Sequence, residues 1–465
     1  MRILIGALLL FFVVTSCVTK DTPYATITGR YVGDKEKKEI VLSKVEHGNK
    51  HKVASTSIGS DGHFGFVVEI DTPAVYVLNV VWEETHKPVK QDHDLKRFYL
   101  EAGTEIQIKV EDGKYSLLNT NSKKNELLSA WNEQIDTVFS YSHGFRHCIS
   151  DYETFFPVLP GYAEKTEMFK KKINSGDRNF DEFIKLLVET DLNYAALNFL
   201  FTPHPKHPDR ENYPEYYDYI LKERAPVSER LLELPYGVKY IKLYAMFSVM
   251  SDKEKPKAGE WQKAALSKVP NDLLKGYYAV NSLRAYPKYD AKYIQFKEIV
   301  EPYMLNDYLK NKLNEHEISI RKIEEGALAV DFSGTDINGK VHKLSDYKGK
   351  VVYVDVWATW CGPCKAQIPY LKKLEEKFRD KPVVFMSISV DKEKDREKWK
   401  NYVIDKKLQG VQIMDGKAFD SDVVKAYKVY SIPRFLIFDK EGRIVSTKAP
   451  RPSSGEVEEI LDRLL

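Results

Sequence analysis

The segment Asp355-Val356-Trp357-Ala358-Thr359-Trp360-Cys361-Gly362-Pro363-Cys364-Lys365 carries two thiols separated by two residues. An apolar run, Val351 to Val356, leads into it, and Ile368, Leu371, Leu374 and Phe378 follow at helical spacing. A strand therefore runs into the first thiol and a helix runs on from the second. A cysteine at a helix N-terminus meets unpaired backbone N–H groups and the positive end of the helix dipole, and both stabilise a thiolate. The thiolate is the attacking species in disulfide exchange, which makes Cys361 the nucleophile. Cys364, one turn in, is placed to resolve the mixed disulfide. Gly362 and Pro363 shape the turn, and Pro363 is tolerated because a first-turn N–H has no intrahelical partner.

A dithiol of this kind needs a sheet behind it. Val383 to Val390 reads as a second strand and Arg434 to Phe438 as a third, followed by a turn at Asp439 to Gly442 and a strand from Arg443. The last helix buries Val457, Ile460, Leu461 and Leu464 on one face, with Ser453 and Glu456 at capping-box spacing. A mixed sheet between helices is expected. The charge run Asp391 to Lys398 reads as a solvated helix face. The short charged stretch Arg321 to Gly326 marks the boundary before this unit.

Upstream the periodicity differs. From Tyr24 to about Tyr115 it is strand-like: Ile106, Ile108 and Val110 alternate with Glu105, Gln107 and Lys109. Ala74 to Trp82 and Arg97 to Leu100 are further strands, and Gly59-Ser60-Asp61-Gly62 reads as a hairpin turn. From about Asn121 to Ile320 the period is helical, with Leu128, Trp131, Ile135 and Val138 on one face and Leu231, Leu234 and Val238 on another. Pro203, Pro205 and Pro226 punctuate it into short helices, and much of the chain's tyrosine lies here as helix core and rim.

The chain has 465 residues, about three domains' worth at roughly 150 each. Lys plus Arg number 71 against 68 Asp plus Glu, a net charge of +3, which speaks against a nucleic-acid binder and its concentrated basic surface. No apolar stretch reaches the length of a membrane-spanning helix. The run Ile3 to Val14, behind Met1-Arg2, suits a signal peptide instead. It ends in Val14-Thr15-Ser16-Cys17, which resembles a loose bacterial lipobox and implies lipidation of Cys17, with the chain working outside the cytoplasm. With only four cysteines there is no disulfide framework. His143, His147 and Cys148 lack a fourth ligand at zinc spacing, so no metal is expected, and His204 and His207 read as loop.

Trp360-Cys361-Gly362-Pro363-Cys364-Lys365 is identified as the thioredoxin active-site sequence. Val330-Asp331-Phe332, Asp336 to Lys340, Gly349-Lys350-Val351 and Tyr427-x-Val429 extend the resemblance to the TlpA/ResA-like branch of membrane-tethered thiol–disulfide oxidoreductases, over about Glu324 to Leu465. The resemblance implies that Asp355 is the buried carboxylate, its pKa raised by burial so that it passes a proton to or from Cys364. It implies that Pro369 kinks the helix and that Ser431-Ile432-Pro433 is a cis-proline loop whose Ile432 backbone pairs with an extended client segment. Trp360 would cover the disulfide and offer a flat contact surface. Where thioredoxins pair a lysine with the buried Asp this chain has Ser387, and Asp391 to Ala418 reads as the branch's insertion.

The expected architecture is a signal peptide over 1–16, an antiparallel β-sandwich over 17–118, an all-α region over 119–322 and an α/β thioredoxin fold over 323–465. The β region resembles the domain of unknown function that precedes thioredoxin modules in many bacterial lipoproteins. The resemblance implies a reductant or isomerase acting on the thiols and disulfides of exported proteins, with no cofactor beyond the Cys361–Cys364 pair. The Gly-Pro dipeptide resembles that of reducing thioredoxins, with potentials near roughly −270 mV, so a membrane electron donor of the DsbD type would recharge it. A lipid-anchored binding protein with an ancillary thioredoxin module is the alternative. A thiol peroxidase is disfavoured, because Ala358 and Val354 stand where the peroxiredoxin pattern has Thr and Pro.

Overall fold

The computed structural model describes residues 23–33, 38–82, 96–111, 114–142, 150–204, 206, 208–257 and 259–465. Cys17, the His143–His147–Cys148 group and His207 lie outside the described residues. Among the described residues no helix is long and apolar enough to cross a membrane. By contact the chain divides into two compact units, Met1–Asn281 and Ser282–Leu465.

The first unit begins with eight strands: β1 (Tyr24–Val32), β2 (Lys38–Glu46), β3 (Asn49–Ser57), β4 (His63–Glu69), β5 (Ala74–Trp82), β6 (Arg97–Leu100), β7 (Glu105–Glu111) and β8 (Lys114–Thr120). They form two four-stranded sheets, ordered β4-β1-β7-β8 and β3-β2-β5-β6. Their inward side chains share one core, with Ile27, Phe66, Ile106 and Ile108 from one sheet and Ile40, Leu42, Leu78 and Phe98 from the other. The expectation of a wholly antiparallel arrangement needs correction, because β1 and β7 pair in parallel from Thr26↔Glu105 to Val32↔Glu111. Between them the chain travels through β2–β6, a connection long enough to return it in the same direction. The hairpin also falls elsewhere. His47 and Gly48, both at positive φ, close the two-residue turn of β2–β3, as a type I′ turn requires. The Gly59–Gly62 turn instead carries the chain from one sheet to the other, held by Asp61 Oδ1 accepting from the His63 N–H at 3.0 Å.

The helices of this unit include Lys123–Ser142, Arg178–Phe201 and Gly237–Ser251. The apolar face at Leu128, Trp131, Ile135 and Val138 is fully buried. The spacing at Leu231, Leu234 and Val238 does not make one helix. Leu231 lies in a 3-10 turn and Leu234 is extended, because it precedes Pro235; the helix starts afresh at Gly237.

The second unit opens with the helices Ala291–Val300 and Asp307–Arg321 and then builds a seven-stranded sheet from β9 (Ser333–Thr335), β10 (Val341–Lys343), β11 (Val351–Trp357), β12 (Val383–Ser389), β13 (Val411–Met414), β14 (Arg434–Phe438) and β15 (Ile444–Ser446). The order is β10-β9-β13-β12-β11-β14-β15. The three strands β13, β12 and β11 run parallel, and β14 is antiparallel to β11. Every residue of β11 is buried, which is why its sequence is an apolar run rather than an alternation. Val351 and Tyr353 face the helices Ile368–Lys377 and Glu456–Leu464; Val352, Val354 and Val356 face the helices Arg396–Asp405 and Asp422–Ala426. The final helix lacks the expected capping box: its N-cap is Gly455 in the left-handed region, and Ser454 Oγ accepts from the Glu456 N–H at 3.2 Å.

Candidate active site

The dithiol stands where β11 ends. Cys361 and Cys364 are joined in a disulfide, with their Cα atoms 5.3 Å apart. Cys361 is the N-cap of the turn Gly362–Lys365: its backbone is extended and its Sγ accepts from the Cys364 N–H at 3.2 Å. Pro363 falls in the first turn, where its missing N–H leaves no bond unmade. The helix is interrupted at Ala366–Gln367 and resumes as Ile368–Lys377, with Pro369 in the first turn of the second segment. A proline there has no N–H to give to the carbonyl four residues back, so the break follows from the covalent structure.

Both cysteines are buried, Cys361 at 4% exposure and Cys364 at 2%, whereas Trp360 beside them is 53% exposed. The Trp360 ring lies 6.3 Å from that of Phe419, itself exposed, so an aromatic surface adjoins the disulfide. Phe419 carried no signal in the sequence. The Ile432–Pro433 bond is cis, and both residues are half-buried at the entry to β14.

Asp355 lies on β11 directly opposite Ser387 of β12. Its carboxyl is buried, and Oδ1 has no hydrogen-bond partner. Burial, reinforced by the neighbouring Glu375 carboxylate, pushes its pKa up to about 8. Ser387 supplies no cation to oppose that rise.

The charge run at Asp391 to Lys398 is only partly a solvated face. Its first residue is fully buried: Asp391 accepts from the Thr359 N–H at 2.8 Å, the Thr359 hydroxyl at 2.9 Å and the Ser389 hydroxyl at 2.6 Å. It therefore anchors the loop two residues before Cys361. In sequence it looked like any acid at the start of a charged helix.

Residues 324–464 match the Redoxin family model. The thiol-disulfide oxidoreductase ResA of Bacillus thuringiensis subsp. konkukian is 31% identical over 143 residues, 31% of this chain and 80% of the relative. The thioredoxin-like protein YneN of Bacillus subtilis is 32% identical over 140 residues, 30% of this chain and 80% of YneN. A crystal structure of the thioredoxin domain of a Bacteroides vulgatus thiol-disulfide oxidoreductase is 31% identical over 30% of this chain and 97% of its own, with a TM-score of 0.27. Following ResA across four-fifths of that relative's length, this chain belongs to the TlpA/ResA-like family of thiol–disulfide oxidoreductases.

Proposed function

We propose that this enzyme reduces or isomerises disulfides of exported proteins outside the cytoplasm, tethered by a lipid on Cys17 and recharged by a membrane electron donor of the DsbD type. The observation that carries the reading is the Cys361–Cys364 disulfide at the end of a buried central strand that also holds Asp355. In the reduced enzyme the Cys361 thiolate attacks a client disulfide, forming a mixed disulfide and releasing one client thiolate. Asp355 takes the proton of Cys364, whose thiolate then attacks Cys361 Sγ, closes the enzyme disulfide and releases the second client thiolate. Trp360, Gly362, Pro363, Ile432 and Pro433 form the surface on which the client segment lies. The β strands of the first unit form a sandwich that, with its helices, serves as scaffold or client adaptor.

The test removes the resolving thiol. Cys364→Ser, in a Cys148→Ser background so that a third thiol cannot contribute, is incubated reduced with insulin and run on a non-reducing gel. A covalent enzyme–insulin adduct that dithiothreitol releases is the expected product, absent when Cys361 is also replaced. No adduct would remove the basis for the reading.

A further inference from the structure

Beside Asp355 is a small cleft in which Asp355, Lys372, Glu375, Ser387 and Gln412 meet apolar walls that include Leu371 and Leu408, with room for about one water molecule. Three buried polar atoms on its lining residues lack partners: Asp355 Oδ1, Trp357 Nε1 and Gln412 Oε1. Two acceptors and a donor left orphaned on residues that share one cleft are groups a bound water would satisfy, since they are otherwise costly to bury.

Glu375 is the unexpected member. It lies on the buried stripe of the helix Ile368–Lys377, beside Leu371 and Leu374, and is only 9% exposed. An acid is rarely placed on such a stripe. The opposite wall makes room for it at Gly410, whose φ is +65° and where a Cβ would come within 3.0 Å of Glu375 Oε1 and 2.5 Å of the Phe385 carbonyl oxygen. Lys372, at the rim, donates to the Lys406 carbonyl at 2.6 Å.

We propose that Glu375 is the outer carboxylate of a two-carboxylate proton relay, exchanging with solvent, through a water held in the cleft, the proton that Asp355 exchanges with Cys364. This rests on the reading of Asp355 as proton carrier. When Cys364 attacks Cys361 Sγ, its proton is on Asp355; the water accepts that proton as it gives one to the Glu375 carboxylate, and Glu375 releases one to bulk water past Lys372. Asp355 returns to the carboxylate, and no electron moves in the relay. Burial pushes the Glu375 pKa up to about 7, against the pull of Lys372, so the two carboxyls are close enough in proton affinity to pass a proton either way. Among the described residues lining the cleft, Asp355, Lys372 and Glu375 are the groups that titrate; Ser387 from β12, Gln409 from the turn before β13 and Gln412 from β13 do not. Tyr353, next inward on β11, is held neutral by burial and by the Asp355 charge, and its hydroxyl donates to the Pro450 carbonyl at 2.8 Å.

The experiment follows reduction of insulin by the reduced full-length protein from pH 5 to 10. Accepting the Cys364 proton requires the Asp355 carboxylate, so the parent rate rises with pH through a midpoint near 8. Glu375→Gln removes a like charge beside Asp355, so the midpoint moves down by about one pH unit, and the plateau falls several-fold. Glu375→Asp keeps the midpoint. Lys372→Met, at the half-exposed rim where folding is not at stake, also moves it down, by less, because without the ammonium Glu375 stays neutral to higher pH and repels the Asp355 carboxylate less. A parent-like midpoint and plateau in both Glu375→Gln and Lys372→Met overturns the relay, and if Glu375→Gln does not fold, the Lys372→Met profile decides. Asp355→Asn separates the two readings: loss of the rise leaves Asp355 as carrier whatever Glu375 does, whereas an unchanged rise removes Asp355 and the relay with it.

Discussion

Cys361→Ser is expected to lose at least roughly 1,000-fold in the rate of insulin reduction, the scale on which loss of a covalent nucleophile is felt. The reason is chemical rather than structural. A serine hydroxyl stays protonated where a cysteine at a helix N-terminus ionises, and it makes no disulfide. The fold survives the change, because Cys361 serves as an N-cap through an acceptor to the Cys364 N–H, and serine is among the preferred residues for that place. Cys364 does not substitute, because it lies one turn into the helix, away from the N-cap position that stabilises the Cys361 thiolate. Stopped-flow measurement of the second-order rate, with the thermal transition of each reduced protein as control, separates the two effects. A variant within tenfold of the parent at matched stability would place the nucleophile elsewhere. Cys361→Ala should lose the same activity and, lacking the cap, also some stability, about 1 kcal/mol by the usual worth of an N-cap.

The parts of the molecule legible in the sequence are those whose determinants lie close together along the chain. Cys361, Cys364 and the strand before them sit within fourteen residues of Val351. The buried strand β11 and the apolar stripe after the dithiol each announce their own period. Ser387 was placed opposite Asp355 by resemblance, and the β11–β12 register puts it there. What stayed hidden depends on partners far apart. Alternation along β1 and β7 fixes which face is buried but says nothing of which strands pair or in which direction. Asp391 belongs by composition to a charged helix, and only the fold brings Thr359 and Ser389 to it. The apolar stripe Ile368, Leu371, Leu374 and Phe378 is complete without Glu375, and only an acid set between Leu374 and Phe378 on the face of Leu371 marks it in the sequence. In the first unit Arg97, Asn132 and Asp191 read as ordinary polar residues, far apart in the chain.

Those residues form a buried ionic core, and Asp191→Ala is expected to destabilise the first unit by about 3–5 kcal/mol, the usual cost of stranding one member of a buried ion pair. Arg97, from β6, and Asp191, from the helix Arg178–Phe201, are both fully buried. The guanidinium donates to both carboxylate oxygens at 2.8 Å and to Asn132 Oδ1 at 3.1 and 2.6 Å. Asp191 also accepts from the Trp131 indole N–H at 2.7 Å and from the Tyr236 hydroxyl. Asn132 in turn donates to the Tyr115 hydroxyl, so one network ties β6 and β8 to the helices Lys123–Ser142 and Arg178–Phe201 and to the N-cap of Gly237–Ser251. Burial pulls the Arg97 pKa down, and the Asp191 carboxylate more than reverses it, so the cation persists in the folded state. Removing Asp191 leaves that charge with Asn132 alone and orphans the Trp131 and Tyr236 donors, so the stranded cation and the unmade hydrogen bonds together account for that cost. Asp191→Asn should cost less, since it keeps an acceptor for one arm of the fork. The double variant Arg97→Met with Asp191→Leu should recover part of the loss, because an apolar pair replaces a buried ion pair with little penalty while Trp131 and Tyr236 stay unpaired. Native-state hydrogen exchange at the amides of β6 and of the helices Lys123–Ser142 and Arg178–Phe201 reads this without assuming that the whole chain unfolds in one step. Protection there should fall by roughly a hundredfold or more in Asp191→Ala, at 1.4 kcal/mol per factor of ten. Protection unchanged within threefold would mean that the network adds specificity to the core but little stability, the other role buried ion pairs are known to take.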